Sequence, residues 1–120
     1  MDPTGIGQEK YITLTTKGRK TGKLHTVELW FANVEGKLYL SHEGKDTDWM
    51  KNILKDDYVE FRIGEIRWKG RARIVRGGEA FERGKQSLYL KYYGRASMNV
   101  IDDWFSESTI VEVSMIESMY

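Results

Sequence analysis

The chain contains no cysteine, which excludes disulfides, thiol nucleophiles and thiolate metal sites. Its two histidines, His25 and His42, do not make a zinc or iron centre by themselves. Proline occurs once, at Pro3, so no Pro-rich linker interrupts the chain. There is no run of about 18 apolar residues to span a membrane, and "MDPTGIGQEK" lacks the apolar stretch of a signal peptide. These absences lead us to expect a soluble, cytoplasmic protein with no membrane partner. A large charge excess is missing too. Nineteen basic residues face 18 acidic ones, a net charge of +1, and proteins that grip nucleic acid usually carry a larger basic surplus.

What is present is enough for one hydrophobic core. The 120 residues are 40% hydrophobic and include four Trp, seven Tyr and four Phe. We read residues 1–120 as a single domain, with 1–9 outside the patterned region and open to disorder. The charge is unevenly placed. Lys17, Arg19, Lys20 and Lys23 fall within seven residues of "TTKGRKTGKLHT" (15–26), with Gly18 and Gly22 and no acid. Without these four, 15 basic residues remain against 18 acidic ones. No Lys or Arg follows Arg95, whereas Asp102, Asp103, Glu107, Glu112 and Glu117 do. A tight turn requires glycine but not four cations, so this cluster points to an anionic partner met at one place.

Alternation of β-branched and aromatic residues predicts strands at 10–16 and 24–33 joined by the basic turn. In the second, His25, Val27, Leu29 and Phe31 share a largely apolar face opposite Leu24, Thr26, Glu28, Trp30 and Ala32. "VEGK" (34–37) is a hairpin turn leading to a strand at 38–42. Trp49, Met50, Ile53 and Leu54 have the spacing of a short helix, which Asp46 or Thr47 is placed to cap. Strand patterning resumes at 58–64 and 66–76. In the latter, Ile66, Trp68, Gly70, Ala72 and Ile74 oppose Arg67, Lys69, Arg71 and Arg73, and the small residues suggest close approach of another backbone or ring. A helix is predicted over 78–93, weakened at Gly84 by about 1 kcal/mol relative to alanine. A last strand covers 108–117. The fold class that follows is mainly β, α+β: an antiparallel barrel of about six strands with two or three short helices. Such a barrel fills its interior with side chains, so a sizeable cofactor must lie outside it, between two copies of the chain.

The succession of "GRKTGK", "YLSHEG", "DWMKNI" and "YVEFRIGEIRWKGRARIV" resembles the deazaflavin-dependent nitroreductase and quinone reductase family, whose fold is the flavin-binding split β-barrel of pyridoxamine phosphate oxidase. The likeness spans about residues 10–76 and returns at "YLKYYGR" (89–95). It implies a reductase passing hydride from a reduced coenzyme of the 8-hydroxy-5-deazaflavin type to a small quinone, enone or nitro compound, in a homodimer with the coenzyme at the interface. Arg19, Lys20 and Lys23, with the backbone N–H groups of the turn from Gly18 through Thr21 and Gly22, would hold the coenzyme's phosphate and acidic tail. His25 and Thr26 follow the turn, Ser41 and His42 match a strand-end pair that meets the coenzyme, and Trp49 and Asn52 match a W-x-x-N helix. Tyr89 and Tyr92 or Tyr93 fall where the family carries tyrosines beside the substrate. Tyr89, Tyr92 and Ser41 are the resulting catalytic candidates. The sequence departs from the pattern at Leu24-His25, where Pro-Arg is usual, at Glu28, where proline is usual, and in the shortened loop "EGKDT".

This chemistry agrees with the poverty in Cys and His, because a flavin-type ring carries the electrons while the protein supplies position and field. Guanidinium and ammonium groups bind phosphate, and a phenol or hydroxyl stabilises negative charge developing on an acceptor oxygen. Other readings stand beside these. The turn also fits a solvated hairpin, the tyrosines a packed helix face, His25 an inward hydrogen-bonded histidine, Trp49 a core residue, and the Arg67 to Arg73 stripe a wet strand face. FMN on the same barrel is the alternative cofactor, and a barrel binding single-stranded nucleic acid without catalysis is the alternative class.

Overall fold

A computed structural model describes residues 9–18, 20–43, 48–106 and 108–118, with residues 42, 43, 48, 115 and 116 described by their backbone alone. The strands are β1 (Tyr11–Lys17), β2 (Leu24–Val34), β3 (Lys37–Glu43), β4 (Tyr58–Ile63), β5 (Ile66–Val75) and β6 (Ser108–Ser118). Helix α1 (Asp48–Lys55) precedes β4, while α2 (Gly78–Tyr93) and α3 (Met98–Trp104) lie between β5 and β6. The strands close in the order β1-β2-β3-β6-β5-β4, with antiparallel pairing throughout. The fold is therefore the expected six-stranded antiparallel barrel, with three helices. Among the described residues no helix is long and apolar enough to cross a membrane.

Period-2 patterning places two apolar layers on opposite sides of the barrel wall. Ile12, Leu14, Leu29, Phe31, Leu38, Leu40, Val59, Phe61, Val111 and Val113 fill the interior, and Trp49, Met50 and Ile53 of α1 join that cluster. Outside the wall, Ala32, Tyr39 and Ile110 meet Leu88 of α2, with Ile101 of α3 and Phe105 just beyond it. Buried residues on both faces of β2, β3 and β6 thus identify the wall that α2 covers.

Gly84 explains the close packing of that helix. A Cβ at this position would lie 2.8 Å from Ile110 Cγ2 and 2.9 Å from the Tyr39 ring, so glycine lets α2 rest directly on the wall.

A polar network runs beneath the same helix. Glu112, 2% exposed, accepts from Tyr39 Oη at 2.8 Å and Arg73 Nε at 2.9 Å. Arg83 donates to Tyr39 Oη at 3.2 Å and to Glu79 at 3.0 Å. Burial alone would raise the Glu112 carboxyl, but the hydrogen bonds from Arg73 and Tyr39 outweigh it and hold its pKa below the usual value. Between α2 and α3, buried Lys85 bonds Asp102 at 2.5 Å and Glu82 at 3.1 Å. Its desolvation is outweighed by these two carboxylates, so its pKa is raised and it stays charged.

Candidate functional site

Pairing of β2 with β3 begins at Trp30↔Ser41 and runs to Val34↔Lys37. Along the remainder, Leu24 to Leu29, β2 is paired with β1. β3 meanwhile follows β6 through His42↔Thr109 and Glu43↔Ser108. A cleft of about 660 Å³ lies where β2 and β3 part. β2 contributes Glu28, Leu29 and Trp30, β3 Ser41, and α2 Tyr93, while Trp104, Phe105 and Ser108 form the remaining wall. Four residues before Glu28, β2 ends at the basic turn, roughly 13 Å away at the rise of an extended strand.

Two interlocking backbone bonds close the turn. Gly18 N–H donates to the Lys23 carbonyl at 2.6 Å and Gly22 N–H to the Gly18 carbonyl at 3.0 Å, with Gly22 at φ +75°. Lys23 N–H is directed at Thr21 Oγ1, 3.3 Å away. These three amides are engaged inside the turn rather than turned toward a ligand. The side chains are differently placed. Lys17, Lys20 and Lys23 are exposed, and among the described residues they form no ion pair. Arg19 lies outside the described residues.

The other basic stripe behaves in the opposite way. Arg67 pairs with Glu60, Lys69 with Glu117, Arg71 with Asp57 and Arg73 with Glu112. This is the solvated, neutralised strand face, and it removes the main support for a nucleic-acid surface. Among the described residues, the turn thus carries three exposed lysines outside any ion pair, whereas the β5 stripe is paired.

The remaining expected residues separate by position. His25 and Thr26 are exposed at the base of the turn. A Cβ on Gly18 would sit 3.1 Å from His25 Nε2, so the imidazole packs beside the turn, and an inward histidine is not found. Thr26 Oγ1 lies 3.1 Å from Thr15 Oγ1. Ser41 lines the cleft. His42 is placed by its backbone on β3, and its side chain, like the helix-capping residues Asp46 and Thr47, lies outside the described atoms. Trp49 is 3% exposed and Asn52 1% exposed; Trp49 is in the barrel core, and Asn52 donates to Thr16 Oγ1 at 3.1 Å. The W-x-x-N helix thus fastens α1 to β1, with Trp49 leaving no surface in this protomer for a coenzyme.

Tyr92 is held by the scaffold through both its ring and its hydroxyl. Its ring stacks on Trp30 with centroids 4.3 Å apart and planes 10° apart. Its hydroxyl donates to the Lys10 carbonyl at 2.6 Å and accepts from Phe31 N–H at 3.0 Å. The β1–β2 ladder stops at Tyr11↔Trp30, so the phenol bridges the strands where their direct pairing ends. Lys91 Nζ reinforces this junction by donating to the carbonyls of Glu9 at 2.6 Å and Phe31 at 2.9 Å. Burial raises the Tyr92 pKa, and the Phe31 backbone offsets that only in part, so the phenol stays protonated and engaged. Tyr93 is the tyrosine on the cleft wall. Tyr89 packs behind it, 5.2 Å from the Tyr93 ring and 6.2 Å edge-on from Trp104.

Sequence reasoning missed Trp104, Phe105 and Ser108. The available signal was Ser97, whose side chain caps α3 by accepting from Val100 N–H at 3.4 Å, followed by the i, i+4 pair Ile101 and Phe105. Among the described residues no group of three or more His, Asp or Glu is placed to hold a metal.

Comparison with known proteins agrees with this arrangement. No curated protein matches the chain. Among solved structures, a conserved hypothetical protein from Mycobacterium tuberculosis is 23% identical with a TM-score of 0.76, covering 98% of this chain and 84% of its own. An F420-H2 dependent reductase is 18% identical with a TM-score of 0.66, covering 88% and 94% respectively. A third chain, described as a domain-swapped dimer, is 20% identical with a TM-score of 0.69, covering 88% and 80%. These likenesses establish the shared barrel fold. The sequence model of the F420H(2)-dependent quinone reductase family matches residues 4–99, and the chain belongs to that family.

Proposed function

We propose that the protein is a homodimeric reductase that uses a reduced deazaflavin coenzyme to reduce a small electron-poor quinone, enone or nitro compound. The observation that carries this reading is the contrast in charge pairing: the stripe on β5 is neutralised, while Lys17, Lys20 and Lys23 are exposed and, among the described residues, without carboxylate partners. With the amides of Gly18, Gly22 and Lys23 engaged within the turn, those ammonium groups and Arg19 would take the coenzyme's phosphate and acidic tail. Four cations within seven residues exceed what the single phosphate of FMN requires, which favours the more highly charged deazaflavin. Bound beside the cleft, that coenzyme supplies the hydride. Ser41 and Tyr93 are the hydroxyl groups on the cleft wall suited to hydrogen-bond the acceptor oxygen as it gains negative charge. The unpaired edge of β2 and a dimeric structural relative support a coenzyme groove completed by a second subunit. Parallel titrations with reduced deazaflavin and FMN across a salt series test the proposal. Tighter, more salt-sensitive binding of the deazaflavin supports it; preferential binding of FMN transfers the same site to flavin chemistry.

A further inference from the structure

The cleft carries a charge preference of its own. Trp30 and Tyr93 meet with centroids 5.7 Å apart and planes inclined by 55°, and Tyr93 and Trp104 at 4.7 Å and 60°. These rings form angled walls rather than a closed stack. Tyr92 covers one face of Trp30, and its hydroxyl is tied to the β1–β2 junction, so the indole is held in place on the cleft wall. Tyr93 and Trp104 are 47% and 49% exposed, an unusual investment of aromatic surface beside an open cavity.

Among the described residues, the single charged one lining this cavity is Glu28. It is exposed and, among the described residues, forms no ion pair. Among the described residues no lysine or arginine lines the cavity, and in the sequence no basic residue follows Arg95 on the way to Trp104, Phe105 and Ser108. Angled aromatic faces attract a cation through their quadrupoles, and a neighbouring carboxylate adds a Coulombic preference. Glu28 stands where the resembling family has proline, a residue unable to supply that charge.

We propose that the cleft binds a small organic cation whose charge resides on nitrogen, held between Trp30, Tyr93 and Trp104 and selected by Glu28. This inference rests on the proposed function in taking the cleft as the acceptor pocket, and it narrows the acceptor to a quinone, enone or nitro compound that also carries a cationic nitrogen. It also explains the segregation of charge along the chain. The basic turn receives the anionic coenzyme at one end of the open β2 segment, and an acidic aromatic cage receives the cation at the other.

The test uses coenzyme-free protein and two non-reducible probes of nearly identical shape, choline and neutral 3,3-dimethylbutan-1-ol, titrated by calorimetry. Choline is expected to bind at least about tenfold more tightly, within the range of a desolvated cation–π site. Glu28→Gln should weaken choline about tenfold and leave the alcohol unchanged; circular dichroism establishes that the variant is folded. Trp104→Leu should weaken choline independently by removing one wall. Equal affinity for the two probes, absence of choline binding, or indifference of choline to Glu28→Gln would each overturn the proposal. Coenzyme titration of the same preparations separates that failure from failure of the reductase assignment, because the turn and the cage are read by different ligands.

Discussion

Replacing Tyr92 with phenylalanine tests whether its hydroxyl builds the fold or serves the reaction. The substitution keeps the ring on Trp30 and deletes one oxygen. That oxygen accepts from Phe31 N–H at 3.0 Å and donates to the Lys10 carbonyl at 2.6 Å. The Phe31 carbonyl keeps Lys91 Nζ at 2.9 Å, and the exposed Lys10 carbonyl gains access to water, so the main loss falls on the Phe31 N–H. An unsatisfied buried donor costs about 1–3 kcal/mol. For a domain of this length the typical unfolding entropy converts that to a fall in Tm of roughly 4–12 °C. Thermal unfolding followed by circular dichroism measures it, and steady-state reduction of a quinone with reduced deazaflavin measures catalysis on the same preparations. We expect a lower Tm with kcat within about twofold of the unmodified protein. An unchanged Tm together with a tenfold or greater fall in kcat would refute the reasoning and restore the phenol as a participant in the reaction.

Other perturbations address the packing and charge of the scaffold. Gly84→Ala should destabilise by about 1–3 kcal/mol, because its Cβ meets Ile110 and Tyr39. Alanine's better helix propensity, about 1 kcal/mol, recovers only part of this; a raised midpoint in urea would contradict the close-packing argument. Glu112, whose folded pKa is depressed, contributes stability that is fully present above its ordinary value of 4.5 and is lost as pH falls through the folded value. Glu112→Gln should therefore lower stability at neutral pH and flatten the urea-midpoint profile on the acid side of the ordinary value of 4.5; parallel profiles would contradict the assignment. Ser41→Ala should lower kcat more than it raises KM if the hydroxyl assists the acceptor oxygen, and unchanged kinetics would return Ser41 to the wall of the cleft.

Much of the barrel was legible because alternation is a local signal. The inward face of Leu29 and Phe31 on β2 and the turn at Gly36 follow from residues adjacent in the chain. The same rule aims Tyr39 and Glu112 outward and is silent about α2 lying over them, so the network joining Arg73, Glu112, Tyr39 and Arg83 required the tertiary structure. Gly84 illustrates the same limit, since helix propensity registers its cost while its role depends on Ile110, 26 positions away. At the candidate site, the charge of the turn and the placement of Ser41 were readable. The roles of Tyr92 and Tyr93 were not, because neighbouring helix positions differ by about 100° in direction and only packing decides which one faces the cleft. Trp104 and Phe105 entered through α3, a helix too short to leave a strong periodic pattern.

The central claim, that the turn between β1 and β2 is the socket for an anionic coenzyme, is tested most directly by the dissociation constant of reduced deazaflavin for the unmodified protein and a Lys20→Ala, Lys23→Ala double variant. Both side chains are exposed, so the variant should keep its Tm while affinity falls about 10- to 100-fold, about 1.4–2.8 kcal/mol for the pair, because solvent and salt screen the two contacts below the strength of buried charge-assisted bonds. Affinity within twofold of the unmodified protein at low salt would contradict the account.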